Sequence, residues 1–344
     1  MSKTTVWLII AALLLIVGLV IFALEMTALG WDFSKLGTVK FVTVTHEIDR
    51  GFRGVSIDTD TADIVIVPAD DGVCRVVCYE REKVTHAVMV EDDVLTVRVA
   101  DQSLWDHIGI SFHTPKITVY LPEKEYETLV IRESTGDIDV ARGFTFGKLV
   151  AELSTGDVTL RADVKEQARI KTTTGDILVE NAAAQGFDLC ASTGDITVKS
   201  VSCAGNMDLS ATTGRVSVTA SECGGNVDVG IGTGKTELTD LSCGSITTVG
   251  TTGDIRMKNV IAKGSVSIER NTGDVTFDAC DAAEITVRTT TGDVTGSLLS
   301  PKMFAANAST GRVDVPPSNG EGKCEITTST GDIKIEVEIG TVPD

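Results

Sequence analysis

The chain is poor in aromatic side chains, in proline and in positive charge. Aromatics make up 5% of its 344 residues, which suits a slim interior better than the bulky core of an ordinary globular domain. Only seven prolines are present, and no Ser/Pro-rich linker divides the chain. Thirty Lys and Arg against 49 Asp and Glu leave a net charge of −19. That balance argues against nucleic-acid binding and against docking on anionic lipid through a basic surface. The four histidines, His46, His86, His107 and His113, are scattered through the first third of the chain. They make no spaced ligand set, so the sequence assigns no metal and no cofactor.

What is abundant is a repeat. A Thr-Gly pair recurs eleven times, with glycines from Gly136 to Gly331 spaced 19 or 20 residues apart. A period in this range marks a stacked repeat architecture. The residue after each glycine is Asp in eight repeats and basic in three, Arg215, Lys235 and Arg312. Two positions after it stands Ile or Val in ten of eleven, Thr236 being the exception. Apolar residues also stand seven and five before the glycine, as at Leu129 and Ile131 or Phe187 and Leu189. Such alternation is the mark of a half-buried strand.

Each repeat therefore reads as a short strand, a Thr-Gly-Asp corner and a second short strand. Every one-residue insertion falls in the connection to the next repeat, which holds seven or eight residues. A stacked strand cannot absorb an insertion without turning its side chains to the wrong face, whereas a solvent-facing loop can. The expected fold is all-β: a β-solenoid (single-stranded β-helix) of about 11 turns. Stacking at ~4.8 Å per turn gives a rod roughly 50 Å long.

Residues 6–24 are nineteen consecutive uncharged, almost wholly apolar positions, long enough to cross a bilayer as one helix. A cleavable signal peptide is the rival reading, but no small-x-small cleavage site and no lipobox cysteine follows. An uncleaved transmembrane anchor fits the length and flanks better. Lys3 on one side and Lys35 and Lys40 on the other nearly balance the positive-inside count. The C-terminal domain is placed outside the cell chiefly because an acidic solenoid suits a surface.

The segments are then a tail at 1–5, the anchor at 6–24, a spacer at 25–40, an irregular β-rich cap at 41–133, and the solenoid at 134–344. Within the cap, Val55–Ile66 fits the repeat register with Ala62 replacing the glycine, a degenerate first turn. Residues 87–99 read as a hairpin, and Ile117, Val119 and Leu121 as one more strand. The cap is expected to protect one end of the stack.

Several chemical readings compete for the repeat. Gly230–Thr236 looks like a phosphate-binding loop, but the first glycine of that motif is missing and a strand, not a helix, follows. Nucleotide binding is discounted. The aspartates invite calcium, yet one Asp per turn supplies few oxygen ligands, and closing the corner by hydrogen bonds is the better default. The candidate binding residues are this acidic corner ladder: Asp137, Asp157, Asp176, Asp195, Asp254, Asp274, Asp293 and Asp332. No carboxylate is singled out by position, which weighs against a polysaccharide-acting enzyme. Among the eight cysteines, Cys203, Cys223 and Cys243 are spaced 20 apart and are expected to stack as buried free thiols.

The anchor, the lead-in VSIDTDTADIVIVP at 55–68, the ITVYLP strand at 117–122 and the repeated STGDI together resemble a bacterial family. This is the domain of unknown function 4097 group, the “putative adhesin” β-strand-repeat proteins of the bacterial envelope. The resemblance runs from about Phe41 to the C-terminus. It implies a membrane-tethered cell-surface β-solenoid without known enzymatic residues, and no binding residues carry over. Some relatives resemble accessory membrane components of envelope-stress systems, which implies a protein partner in the membrane. The expected function is non-catalytic binding or scaffolding toward a wall polymer or envelope protein. The alternatives are an accessory of an envelope-stress circuit and, less favoured, an enzyme on polysaccharides.

Overall fold

The computed structural model describes residues 3–28, 30–32, 39–100 and 113–338. His107 and, in the spacer, residues 29 and 33–38 lie outside them. An α-helix, α1, covers Lys3–Ala28, and Thr4–Ala28 is long and apolar enough to cross a membrane. Everything after it is β-structure: the described strands form one continuous sheet that coils on itself.

Equivalent positions of successive repeats lie in parallel register, as the alternation requires. Leu129 pairs with Leu149, which pairs with Ala168, then Phe187, Met207, Val227, Ile246, Val266 and Ile285. The positions two after each glycine stack likewise, from Ile138 through Val158, Ile177, Ile196 and Val216. All these side chains point inward and are buried. Parallel ladders leave every inward position facing its own equivalent, so one apolar choice per position is repeated down the rod.

The connection expected as a loop is in fact a third side. Short strands at Ala183-Ala184, Ser202-Cys203, Glu222-Cys223, Ser242-Cys243, Ile261-Ala262 and Asp281-Ala282 stack in register. Each turn is thus three-sided; the third-side column buries Tyr126, Phe146 and Val164 in the early turns and small residues, Ala184, Cys203, Cys223, Cys243, Ala262 and Ala282, in the later ones. The corner leading into it carries a left-handed residue six after the glycine: Asn181, Ser200, Ala220, Asp240, Asn259 and Ala279, with φ between 49° and 53°. The one-residue length differences sit in the next corner, where register shifts fall between Val164 and Gln167 and between Ala262 and Ser265. The insertion tolerance is real but confined to one bend.

Rung order departs from chain order at both ends. The C-terminal repeat, strand Gly322–Thr330, pairs with the Thr291 rung on one side and with strand Lys302–Thr310 on the other. The last repeat of the chain therefore slips beneath the penultimate one. The reason lies in their cores: the inserted rung brings buried Cys324, Ile326, Ile333 and Ile335. The outer rung offers half-buried Phe304, Ala306 and Ala308 and leaves Met303 and Val313 exposed.

The N-terminal end mirrors this arrangement. Strands β1 (Phe41–Glu47), β2 (Gly54–Thr61), β3 (Asp63–Pro68), β4 (Arg75–Arg81), β5 (His86–Glu91), β6 (Val94–Val99) and β7 (Lys116–Leu121) build the cap. The degenerate repeat β2–β3 stacks on the first Thr-Gly rung through Ile57↔Ile131 and Ile64↔Ile138. Its other side is covered by β6 and β7. Antiparallel pairings of β4 on β7, β1 on β4 and β5 on β6 then finish the end. The β5–β6 hairpin turns at Asp92 and Asp93, both at positive φ.

The Thr-Gly corner explains its own glycine. Gly156 has φ 140°, and a Cβ there would lie 1.9 Å from the carbonyl oxygen of Gly136 in the rung below. The neighbour is backbone and cannot yield. Gly156→Ala is expected to cost about 3 kcal/mol or more. Gly230→Ala, whose Cβ would meet only Ser210 Oγ at 3.8 Å, should be nearly silent. Thermal melting of the two variants checks the contrast, and equal melting temperatures would contradict it.

Candidate functional site: the acidic corner ladder

Three backbone groups cross each Thr-Gly-Asp corner, and two are met by the next rung's main chain. Gly136 N–H donates to Thr155 O at 3.0 Å and Ile138 N–H to Asp157 O at 2.8 Å. The amide of the residue after the glycine is left over, and the aspartate of the preceding rung accepts it. Asp157 N–H donates to Asp137 Oδ1 at 2.9 Å, Asp176 N–H to Asp157 Oδ1 at 2.7 Å, and Asp195 N–H to Asp176 Oδ1 at 2.7 Å. Asp274, Asp293 and Asp332 continue the series from Asp254. Asp63 of the degenerate rung starts it by accepting from Asp137 N–H at 3.2 Å.

The structure thus brings all eight predicted aspartates onto one edge of the rod, each with a local role. Six are exposed, and Asp195 and Asp254 are half-buried. Each carboxylate that accepts through Oδ1 keeps its second oxygen for other partners. Beside them runs a row of exposed Thr residues at the position before the glycine, Thr135 to Thr330. The edge is a periodic stripe of hydroxyls and carboxylates.

The three basic interruptions now separate into two kinds. Arg312 lies on the outermost rung, where its own amide donates to Asp332 Oδ1 at 2.8 Å. Among the described residues no rung stacks beyond it, so a carboxylate there would have no amide to accept. Arg215 and Lys235 lie in the middle. Arg215 N–H still donates to Asp195 Oδ1 at 2.7 Å, while the Lys235 ammonium lies 3.9 Å from Asp254 Oδ2. The ladder carries its counter-charge here at the cost of side-chain acceptors for the next rungs. The Gly230–Thr236 segment is strand and corner like its neighbours, without the helix a phosphate-binding loop requires.

At the foot of the ladder, Glu133 is buried and its Oε1 accepts Ala62 N–H at 2.7 Å. Burial, with the nearby Asp63 and Asp137 carboxylates, pushes its pKa up to about 8 against this hydrogen bond. A second buried group, missed from sequence, lies in the cap. Glu80 Oε2 accepts from His86 Nδ1 at 2.7 Å and from the His86 backbone amide at 2.8 Å. The Cys78 thiol stands beside them, its pKa pushed up by burial to about 12. The signal was available as Cys-x-Glu on one strand face, but nothing marked His86 as its neighbour.

All eight cysteines are free. Cys203 and Cys223 stack in register and donate their thiols to the Asn206 and Asn226 carbonyls, so the expected ladder exists on the third side of the coil. His46 lies on β1 opposite Val76 of β4 and is not among the three side chains whose ligand atoms converge, Cys78, Glu80 and His86.

Two outcomes follow from this corner chemistry. Asp176→Ala should cost about 1 kcal/mol by orphaning the Asp195 amide. Asp176→Asn, which keeps an Oδ1 acceptor, should cost less, and Arg312→Ala should change nothing; chemical denaturation ranks the three. For Glu133 the folded pKa lies above the ordinary carboxyl value of 4.5. The folded state therefore keeps a proton that the unfolded chain releases, and stability falls as pH rises from the unfolded value through about 8. Glu133→Gln should match the parent at about pH 5 and melt higher above about pH 8; a parallel pH dependence of the two proteins would refute this.

No curated protein matches the chain. Among solved structures, a “putative adhesin” from Bacteroides fragilis is 14% identical, covers 86% of this chain and 97% of its own, and has a TM-score of 0.36. A “putative adhesin” from Parabacteroides distasonis is 11% identical with 87% and 98% coverage and a TM-score of 0.39. A “putative lipid binding protein” from the same species is 14% identical, with 86% and 97% coverage and a TM-score of 0.36. The family model described as Toastrack DUF4097 matches residues 52–204 and again 163–336. Those two matches take in the cap from residue 52 on and every Thr-Gly rung, and the chain belongs to the Toastrack DUF4097 family.

Proposed function

We propose that this protein is a non-catalytic, adhesin-like binding or scaffolding protein of the bacterial envelope. In this reading α1 is an uncleaved single-pass anchor and the solenoid stands outside the cell. The observation that carries it is the corner stripe, where an exposed Thr hydroxyl stands on every Thr-Gly rung and a half-free carboxylate on eight of the eleven. A surface repeating every ~4.8 Å suits an extended polymer, which can gain many weak hydrogen bonds without ordering a loop. The net charge of −19 favours a neutral or amino-bearing wall glycan over an anionic one. An accessory role in a stress circuit remains the second reading; α1 is apolar on every side, which suits lipid without marking a face for a partner helix.

The test uses the full chain in detergent micelles, cosedimented with insoluble wall glycan. A triple variant, Asp157→Asn, Asp176→Asn and Asp195→Asn, keeps the corner acceptors and should stay folded. Its binding is expected to weaken roughly tenfold or more. A Lys258→Gln variant on another side of the coil should bind as the parent does. Equal binding by all three proteins would sink the stripe as the contact surface.

A further inference from the structure

Strand β4 alternates half-buried and buried residues, so Val76, Cys78 and Glu80 share its inward face. Cys78 and Glu80 are 0% and 1% exposed. A carboxylate in such a column is costly unless strongly partnered. Its partner is His86, at the start of β5 and itself 7% exposed. The thiol sulfur, a Glu80 oxygen and an imidazole nitrogen all lie within 4.8 Å of one another.

We infer that Cys78, Glu80 and His86 form a zinc-class metal centre that locks the antiparallel cap onto the solenoid. Ligands at ~2.0–2.3 Å from zinc lie roughly 3.3–3.8 Å apart; the Glu80–His86 contact at 2.7 Å opens to that spacing, and the sulfur, within 4.8 Å of both, adjusts to it by small side-chain rotations. With Nδ1 turned to Glu80, the other ring nitrogen faces Thr59 Oγ1 at 3.1 Å. Metal-bound histidines are usually oriented by such an outer hydrogen bond. Thr59 belongs to β2, so the centre ties β4 and β5 to the rung on which the solenoid begins. The mixed sulfur, nitrogen and oxygen set selects zinc over calcium or magnesium, which take oxygen ligands. On binding, a metal–sulfur bond replaces the S–H bond and the thiol proton leaves to solvent, while a metal–nitrogen bond replaces the Nδ1–H bond of His86 and the neutral ring keeps its proton on Nε2, facing Thr59 Oγ1.

The experiment uses the full chain in detergent, stripped by chelator and titrated with cobalt(II) as a spectroscopic stand-in. One equivalent should bind, giving a thiolate-to-cobalt charge-transfer band that zinc then abolishes. Cys78→Ser should lose the band, and Cys74→Ser should keep it. Thr59→Val, which leaves all three ligands in place, should keep the band and bind about 10–100-fold more weakly. His86→Gln should bind more weakly still, and zinc should raise the melting temperature of the parent but not of this variant. Absence of a thiolate band in the parent overturns the assignment, as does a band that survives Cys78→Ser. If Cys78→Ser fails to fold, unchanged cobalt affinity in both Thr59→Val and His86→Gln overturns it equally.

Discussion

The structure depends on one leftover amide per turn. In a coil of parallel rungs, strand amides find the next strand, but a tight corner strands the amide just past its turning residue. Here the preceding rung's aspartate takes that donor through Oδ1. The same close stacking places the carbonyl of one Thr-Gly corner where a side chain on the next would be, as at Gly156 over Gly136. Glycine and aspartate are therefore two halves of one requirement: the first lets the rungs approach, and the second closes the gap in hydrogen bonding that approach leaves. An exposed amide without an acceptor could turn to water, so each contact is worth only about 1 kcal/mol. Repetition along the rod makes the sum large enough to fix the register.

A ladder of this kind has a direction, and direction accounts for its ends. Each aspartate serves the rung above it, so the first rung needs a donor of carboxylate and the last does not. Asp63 supplies the start from a rung whose corner is Ala62 instead of glycine. Arg312 ends it, because the chain's final repeat has moved inward and left the Arg312 rung outermost. The exchange puts the better apolar repeat, with Ile326, Ile333 and Ile335, inside the stack. It leaves the poorer one, with a two-residue strand at Val313-Asp314 and two prolines just after it, as a blunt edge unsuited to further strand addition.

Much of this was legible in the sequence, and the misses have physical causes. The positions from seven before to four after each glycine could be read because in-register stacking permits no insertion among them. The third side was hidden because its inward column changes from Tyr126, Phe146 and Val164 to small residues such as Ala184, Cys203, Cys223 and Ala262 and so repeats no single aliphatic choice. Its entry corner escaped notice because Asn, Ser, Ala and Asp all occupy the left-handed position there. Such residues adopt it at roughly 1–2 kcal/mol without leaving a fixed signature. Rung order was invisible since both terminal repeats carry the same Thr-Gly corner. The group around His86 needed the pleat of β4 and the return of β5 to exist at all.

The structural duty of the aspartates bears directly on what the corner edge can bind. A carboxylate held through Oδ1 by a backbone amide is oriented before any ligand arrives, and its charge is only partly spent. Its remaining oxygen and the Thr hydroxyl beside it recur at the spacing of the rungs, because the same hydrogen bonds fix both. A single such pair would hold nothing tightly in water. In the proposed role, the pairs arrayed along the stacked rungs would act at high effective concentration toward a ligand that is itself extended and periodic. Arg215 and Lys235 interrupt that array midway and draw Asp254 toward the lysine, so a ligand spanning the whole edge meets two acidic tracts divided by a basic step. Length along the rod, more than the chemistry of any one rung, is then what would set affinity.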